Sequence, residues 1–217
     1  MMVRQARAVR TRQSLVRAAA EVFAAEGYAR ASLPAISERA GVSTGALHFH
    51  FASKDDLAAA VERSAADSVE KLAERCRSGA DTLLQSLVHT ASSLLLAVVA
   101  DPVIRAGFRL SDDPSRKNGA QMLRWWQAWV HDLVVQAQNE GELAQDVSAE
   151  AAATVIVAAT AGFEVLGSAD REWLSAERMT QLWTFVLPRL AASPDPAPFL
   201  SEIGAAVDER TEQARTA

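Results

Sequence analysis

Side chains that bind metals or catalyse reactions are few in this sequence and widely spaced. The four histidines and the single cysteine lack metal-ligand spacing with one another: His48, His50, His89, His131 and Cys76. No glycine-rich phosphate loop is present. The acidic pairs at 55–56 and 112–113 fit helix-cap and loop positions better than an acid/base pair. The sequence therefore predicts no catalytic site, no metal and no cofactor, and we expect a protein that is not an enzyme.

Polar residues with chemistry of another kind cluster between residues 32 and 54. Ser32 can cap a short helix, Gly41 suits a left-handed turn, and Ser43 can cap a second short helix. Two short helices across a glycine-containing turn are typical of a helix-turn-helix, whose second helix enters the major groove of DNA. The alternative is an ordinary three-helix subdomain without a nucleic-acid partner.

The predicted DNA-binding residues combine positive charge, hydrogen-bonding tips and one glycine that permits close approach to the backbone. Ser43 and Lys54 also stand at predicted helix N-termini, which attract phosphate. For His50 a packing role against Phe23 stays open. The set is Arg12, Ser43, Thr44, Gly45, His48, His50 and Lys54.

Charge is distributed unevenly along the chain. Residues 1–55 hold eight basic and four acidic side chains, a formal charge of +4, whereas residues 56–217 hold 14 basic and 23 acidic side chains, a charge of −9. A basic head on an acidic body is expected where only one end meets phosphate. The lone Cys76 and the lack of a signal-peptide pattern predict a soluble cytoplasmic protein with no membrane contact.

Hydrophobic periodicity predicts helices throughout and no strands, so the expected fold is all-α. We expect a helix-turn-helix domain at 1–55 and a helical ligand-binding and dimerisation domain at 56–217. The predicted helices cover 9–26, two short stretches after Ser32 and Ser43, 57–76, 81–100, 102–110, 120–140, 148–166, 176–190 and a C-terminal stretch from 198. The predicted core of the head is Leu15, Val22, Phe23, Ile36, Ala40, Val42, Leu47 and Phe51.

Three tryptophans stand within five residues of one predicted helix. Trp125 and Trp129 share a face, and Trp126 is turned by about 100° from Trp125. Core packing explains two of them, and a buried indole beside polar tips would suit a ligand cavity. The predicted ligand-binding residues are Trp126, Trp129, Phe108, Gln85, His89, Thr160 and Phe163.

The helices predicted at 148–166 and 176–190 carry too many small and apolar residues for a solvated surface. Pairing them with a second copy would bury that surface as a four-helix interface. We therefore expect a homodimer, with burial inside one subunit as the alternative.

Residues 1–57 resemble the DNA-binding head of the TetR family of transcriptional repressors. The resemblance lies in Phe23-x3-Gly27-Tyr28, Leu33-x2-Ile36, the run from Ala40 to Leu47, Phe49-His50-Phe51 and Ser53-Lys54-x2-Leu57. More loosely, the body resembles the γ-butyrolactone receptor branch, through the run from Asp101 to Leu110 and a Trp about seventeen residues before Gly-x-Leu.

This resemblance implies a dimer that binds a palindromic operator in double-stranded DNA and releases it when a small hydrophobic ligand enters the body. The pocket tryptophan of the branch corresponds to Trp126. Thr44 and His48 stand where the family often has Lys and Tyr, so we expect weaker phosphate binding at Thr44 and pH-dependent operator binding through His48.

Three alternatives remain open at this stage. The ligand could be an antibiotic or another drug-like compound, as for a pseudo-receptor or an efflux regulator. A helical protein–protein module would show no salt-dependent affinity for DNA. An enzyme would need a nucleophile–base pair, which the sequence does not offer.

Overall fold

The architecture was determined from a computed structural model that describes residues 2–111, 113–116 and 121–193. These residues form α-helices and one 3₁₀ turn, Arg171–Leu174, and the described part contains no strand beyond an isolated bridge between Leu143 and Ala191. The all-α prediction is confirmed. The predicted C-terminal helix and part of the stretch between the helices predicted at 102–110 and 120–140 lie outside the described residues. The helices are α1 (Met2–Glu26), α2 (Leu33–Arg39), α3 (Thr44–His50), α4 (Lys54–Ser78), α5 (Leu83–Ala100), α6 (Pro102–Ser111), α7 (Gln121–Asn139), α8 (Ala149–Ala169) and α9 (Ala176–Leu190).

One compact unit comprises Met1–Ser68 and Asp101–Leu123. Six of the eight predicted core residues of the head are buried in it, and Ala40 and Val42 are half-buried against the same cluster. Its first helix begins at Met2 and not near residue 9. Gln5, Ala6 and Arg7 in the added turns are exposed, so no buried apolar stripe marks this stretch in the sequence.

The same unit extends beyond the predicted boundary at residue 55. Leu57, Ala58 and Val61 of α4 belong to the head's core, as do Ala106 and Leu110 of α6. The Arg109 guanidinium donates to the Ala24 carbonyl at 2.8 Å, which satisfies an unpaired group in the last turn of α1. The head therefore depends on a helix that the sequence places more than 40 residues away.

The other compact unit comprises Val69–Ala100 and Arg124–Ala217. Helix α5 is its most buried element, and α5 contacts α8 and the 3₁₀ turn. The carboxylate of Glu142 accepts from the backbone N–H groups of Leu83 and Leu84, both at 2.9 Å, and so caps the first turn of α5. The 3₁₀ turn lies between the helices predicted at 148–166 and 176–190, where no helix was predicted, and Asp170 caps it locally.

Two helices of this unit, α5 and α8, are long and apolar enough to span a bilayer by length and composition alone. In α5 the apolar segment is 72% buried within the unit, as in the core helix of a soluble protein. The α8 segment is only 28% buried, and Val165 and Leu166 are exposed on it.

Candidate DNA interface and ligand site

The turn between α2 and α3 has the predicted chemistry. The Ser32 hydroxyl accepts from the Ala35 N–H at 3.3 Å, and the Ser43 hydroxyl accepts from the Ala46 N–H at 3.2 Å. Gly41 adopts a φ of +68°, a conformation that glycine favours, and lets the chain leave α2 sharply. The Ser37 and Thr44 hydroxyls lie 3.2 Å apart and join the two helices across the turn. The geometry of a helix-turn-helix is therefore fixed by local contacts.

One face of α3 is anchored and the other is free. Leu47 is fully buried in the head's core, whereas Thr44, Gly45 and His48 are exposed. Phe49 is 82% exposed, and its ring meets His50 edge-on at 5.2 Å between centroids. His50 is half-buried with its ring against that of Phe49 on α3, and its packing role against Phe23 stays a prediction. Polar and aromatic tips thus project from the helix that we predicted to enter the groove.

Arg12 and Lys54 occupy different environments. The Arg12 side chain is exposed, and its guanidinium lies over the Phe51 ring at 5.1 Å, which holds a positive charge beside α3. The Lys54 ammonium donates to the carbonyls of Tyr28 at 2.8 Å and Ala31 at 3.0 Å. Lys54 therefore fastens the loop after α1, and its contact with phosphate stays a prediction.

A buried ion pair lies next to the start of α4 in the same unit. Arg116, which follows α6, approaches Glu62 at 2.7 Å and Asp55 at 3.4 Å. The Arg116 guanidinium also lies 5.3 Å from the centroid of the Tyr28 ring. Burial in the first place, and the Asp55 carboxylate in the second, raise the pKa of the Tyr28 phenol, whereas the Arg116 guanidinium opposes the shift.

In the other unit, the predicted pairing of an indole with a polar tip is present. Trp126 is only 3% exposed, and its Nε1–H donates to the Thr160 hydroxyl at 2.8 Å. The Thr160 hydroxyl in turn donates to the Ile156 carbonyl at 2.8 Å. Trp126 also stacks on Trp129 at 5.4 Å between centroids. These contacts hold the buried indole in one orientation.

The remaining predicted ligand residues lie on α5, α6 and α8. Gln85 accepts from the Asp81 N–H at 2.8 Å and so serves the N-terminus of α5. Phe163 packs edge-on against Trp173 at 5.9 Å. His89 is buried on α5, and Phe108 lies half-buried on α6 in the first unit. Their roles in ligand binding stay predictions.

An open cleft of about 480 Å³ runs between α4 and α7 in the second unit. Trp125 and Trp129 line it from α7, both half-buried, with rings stacked at 6.1 Å and 19°. Glu70, Glu74 and Arg77 line it from α4. Of the predicted ligand residues, only Trp129 borders this cleft.

Comparisons with known proteins agree with this geometry. Residues 15–61 match the model of bacterial regulatory proteins of the tetR family. The chain is 34% identical over 191 residues to the A-factor receptor protein of Streptomyces griseus, covering 88% of this chain and 67% of that protein. The chain belongs to the TetR family. The match also confirms its predicted place in the γ-butyrolactone receptor branch.

Solved structures resemble this TetR family member over nearly the whole chain. A γ-butyrolactone receptor described as ArpA-like is 26% identical with a TM-score of 0.78, covering 94% of this chain and 99% of that one. CprB from Streptomyces coelicolor, solved with its operator sequence, is 26% identical with a TM-score of 0.76 over the same shares.

Three residues of this TetR family member have contacts or exposure that the sequence does not predict. Phe49 belongs to the motif Phe49-His50-Phe51, in which nothing in the sequence distinguishes its exposed ring from the buried ring of Phe51. Glu142 follows the helix-ending Gly141 and gave no local signal, because its partners lie 58 and 59 residues away. Arg116 lies in a loop, where charge patterns predict little about burial.

Proposed function

We propose that this protein is a homodimeric transcriptional repressor that binds a palindromic operator through α3 and leaves it when a small hydrophobic ligand of γ-butyrolactone type binds the second unit. The observation that carries the proposal is the capped turn that presents the exposed polar face of α3 while Leu47 holds its other face in the core. The named receptors and the operator-bound CprB among its relatives support the same activity.

At the DNA, the exposed residues of α3 divide by chemistry. The hydroxyls of Ser43 and Thr44 and the guanidinium of Arg12 suit phosphate oxygens, and Gly45 leaves room for the sugar–phosphate backbone. His48 carries a donor and an acceptor toward base edges, and His50 stands beside it. Operator affinity should fall steeply with salt, because contacts to phosphate release counterions.

At the ligand site, Trp126 and Thr160 support a cavity of mixed character. An indole face suits an apolar chain, and a hydroxyl that already binds the indole N–H has room for one further polar contact. Helix α4 is continuous from Lys54 to Ser78, so its residues belong to both units. Ligand would favour a conformation in which α4 swings and the two recognition helices no longer match successive major grooves.

The dimer is proposed from the exposed apolar residues of α8 and α9. Val165 on α8 and Phe185 on α9 are 61% and 84% exposed, a large apolar surface for helices that face water. A second copy of the same two helices would bury them as a four-helix interface. Two heads would then read two half-sites about 34 Å apart. The chain would act in the cytoplasm, where the DNA and the ligand meet.

The proposal is tested with the DNA immediately upstream of the coding region of this protein. Fluorescence polarisation should show salt-dependent binding that His48→Ala weakens and the matched control Lys71→Ala, on α4, does not. A panel of γ-butyrolactones should release the DNA from the wild type. Trp126→Ala should bind the operator normally and resist release; loss of operator binding in this variant would make Trp126 structural and contradict the proposal.

A further inference from the structure

The cleft between α4 and α7 has a composition that the proposed operator mechanism does not use. Its walls combine aromatic rings with free carboxylates, and its volume of about 480 Å³ lies within the range of small-molecule sites. The hydrogen bond described for the Trp126 indole, by contrast, goes to an uncharged group, the Thr160 hydroxyl. The two sites share a neighbour, because Trp129 lines the cleft and stacks on Trp126.

The aromatic wall is rigid. Trp125 and Trp129 lie 6.1 Å apart with rings inclined by 19°, and Trp126 stacks on Trp129 at 5.4 Å and 15°. Since Trp126 is itself fixed by Thr160, the two rings of the cleft are supported from the core. Half-buried, pre-positioned indoles bind flat apolar rings and cations with little loss of conformational entropy.

The opposite wall selects a charge. Glu70 and Glu74 stand one turn apart on α4, both exposed, and neither carboxylate has an ion pair with another residue that the structure describes. Arg77 supplies the one positive charge of the lining, so the formal charge of the cleft is −1. The two carboxylates would repel an anion. They would attract a cation, and so would the faces of the two indoles.

We propose that this cleft is a second ligand site, separate from the Trp126 site, and that it binds flat organic cations. The rings of the ligand stack along Trp125 and Trp129, and its positive charge lies toward Glu70 and Glu74. Binding at this site requires neither the operator nor a ligand beside Trp126.

The test uses two xanthene dyes of similar shape and opposite charge, with the full-length protein and no DNA. Fluorescence anisotropy should show saturable binding of the cation rhodamine 6G and at least tenfold weaker binding of the anion fluorescein. The double variant Glu70→Gln/Glu74→Gln should lower the affinity for rhodamine 6G roughly tenfold, because it removes two charge contacts and keeps the side-chain shape. Trp125→Leu should also weaken binding, with circular dichroism confirming that the variant is folded.

A matched control, Glu140→Gln/Glu177→Gln, removes the same charge from exposed positions outside the cleft and should change the affinity less than twofold. Absence of saturable rhodamine binding, equal binding of both dyes, or an equal loss in the control variant would overturn the proposal. An unchanged affinity in the Glu70→Gln/Glu74→Gln variant would do so as well, since the dye would then be bound elsewhere. Because the assay contains no DNA, its outcome is independent of operator release.

Discussion

Three neighbouring indoles of α7 occupy different environments. Trp126 is buried and donates to Thr160, whereas Trp125 and Trp129 face the cleft. Trp183 repeats the arrangement of Trp126, because its indole N–H donates to the Ser92 hydroxyl at 3.1 Å in the core. Burying an indole N–H without an acceptor costs free energy. The Thr160 and Ser92 hydroxyls remove that cost for Trp126 and Trp183.

The contact between Trp126 and Thr160 gives a direct prediction. Thr160→Val keeps the side-chain shape and removes the acceptor, so the buried indole N–H is left unpaired and stability should fall by about 1 to 3 kcal/mol. Urea unfolding measures the change. The exposed Thr154 of the same helix is the control, since its hydroxyl donates to the backbone carbonyl of Glu150 one turn earlier, and Thr154→Val should leave the midpoint almost unchanged.

At this scale the sequence predicts contacts that are local. The hydroxyls of Ser32 and Ser43 cap their own helices three residues on, as their spacing indicates. Lys54 could not be placed in the same way, because its carbonyl partners at Tyr28 and Ala31 precede it by 26 and 23 residues. From sequence alone, a lysine at the start of a helix is read as a phosphate ligand, because its hydrogen bonds to a distant loop cannot be predicted.

Helices α4 and α6 pack closely because one residue lacks a side chain. A Cβ on Gly107 would lie 2.4 Å from the Cβ of Ala65, closer than any van der Waals contact. Gly162, in contrast, has nothing within 4 Å of such an atom. Close packing therefore requires glycine at position 107. At position 162 the effect of a Gly→Ala change should come only from the higher helix propensity of alanine.

Gly107→Ala should destabilise the protein by about 1 to 3 kcal/mol, because the two helices must move apart. The second change Ala65→Gly should restore part of the loss by reopening the space. Gly162→Ala should be neutral or stabilising by up to about 1 kcal/mol. Thermal unfolding followed by circular dichroism compares the variants; a Gly107→Ala protein as stable as the wild type would contradict the packing described.

The ion pair between Arg116 and Glu62 joins the segment after α6 to α4, and both side chains are almost fully buried. Arg116→Met should cost about 3 to 5 kcal/mol, because the Glu62 carboxylate is left buried without its partner. The double variant Arg116→Met/Glu62→Leu should regain most of this loss. Asp55→Asn serves as the control, since Asp55 is largely exposed and its contact with Arg116 is longer. Urea unfolding gives all three values.

Hydrophobic periodicity predicts that these helices exist better than it predicts where they begin and end or which helices they pack against. All the predicted helices within the described residues are present, yet α1 begins earlier and a 3₁₀ turn lies where no helix was predicted. Helix α6 could not be assigned to the head from sequence, because its attachment depends on Gly107, Arg109 and apolar contacts made across a long separation. A pattern shows which face is buried and not what covers it.

For the molecule as a whole, charge and exposed apolar surface point to two partners. The +4 of residues 1–55 suits a phosphate backbone, and the −9 of the remainder keeps the rest of the chain away from it. Phe49 and Phe185 are equally exposed, one on the recognition helix and one on α9. The same substitution at these two positions can therefore test operator binding and dimer formation separately.

Phe185→Glu should dissociate the proposed dimer, because it places a charge in the apolar four-helix interface. Sedimentation velocity should then give a monomer, and operator affinity should fall because only one half-site is held. Phe49→Glu should leave the dimer intact and weaken operator binding alone, by repelling phosphate. A dimer that survives Phe185→Glu, or dissociates with Phe49→Glu, would place the interface elsewhere.

The stack formed by Trp125, Trp129 and Trp126 also equips the molecule with an optical signal of its own. Rings separated by 5.4 to 6.4 Å are close enough for their electronic transitions to couple, so the three should absorb and emit as a group. A compound that slides against the outer rings would disturb this coupling and change the near-ultraviolet dichroism and the emission. Occupancy could then be followed in unlabelled protein.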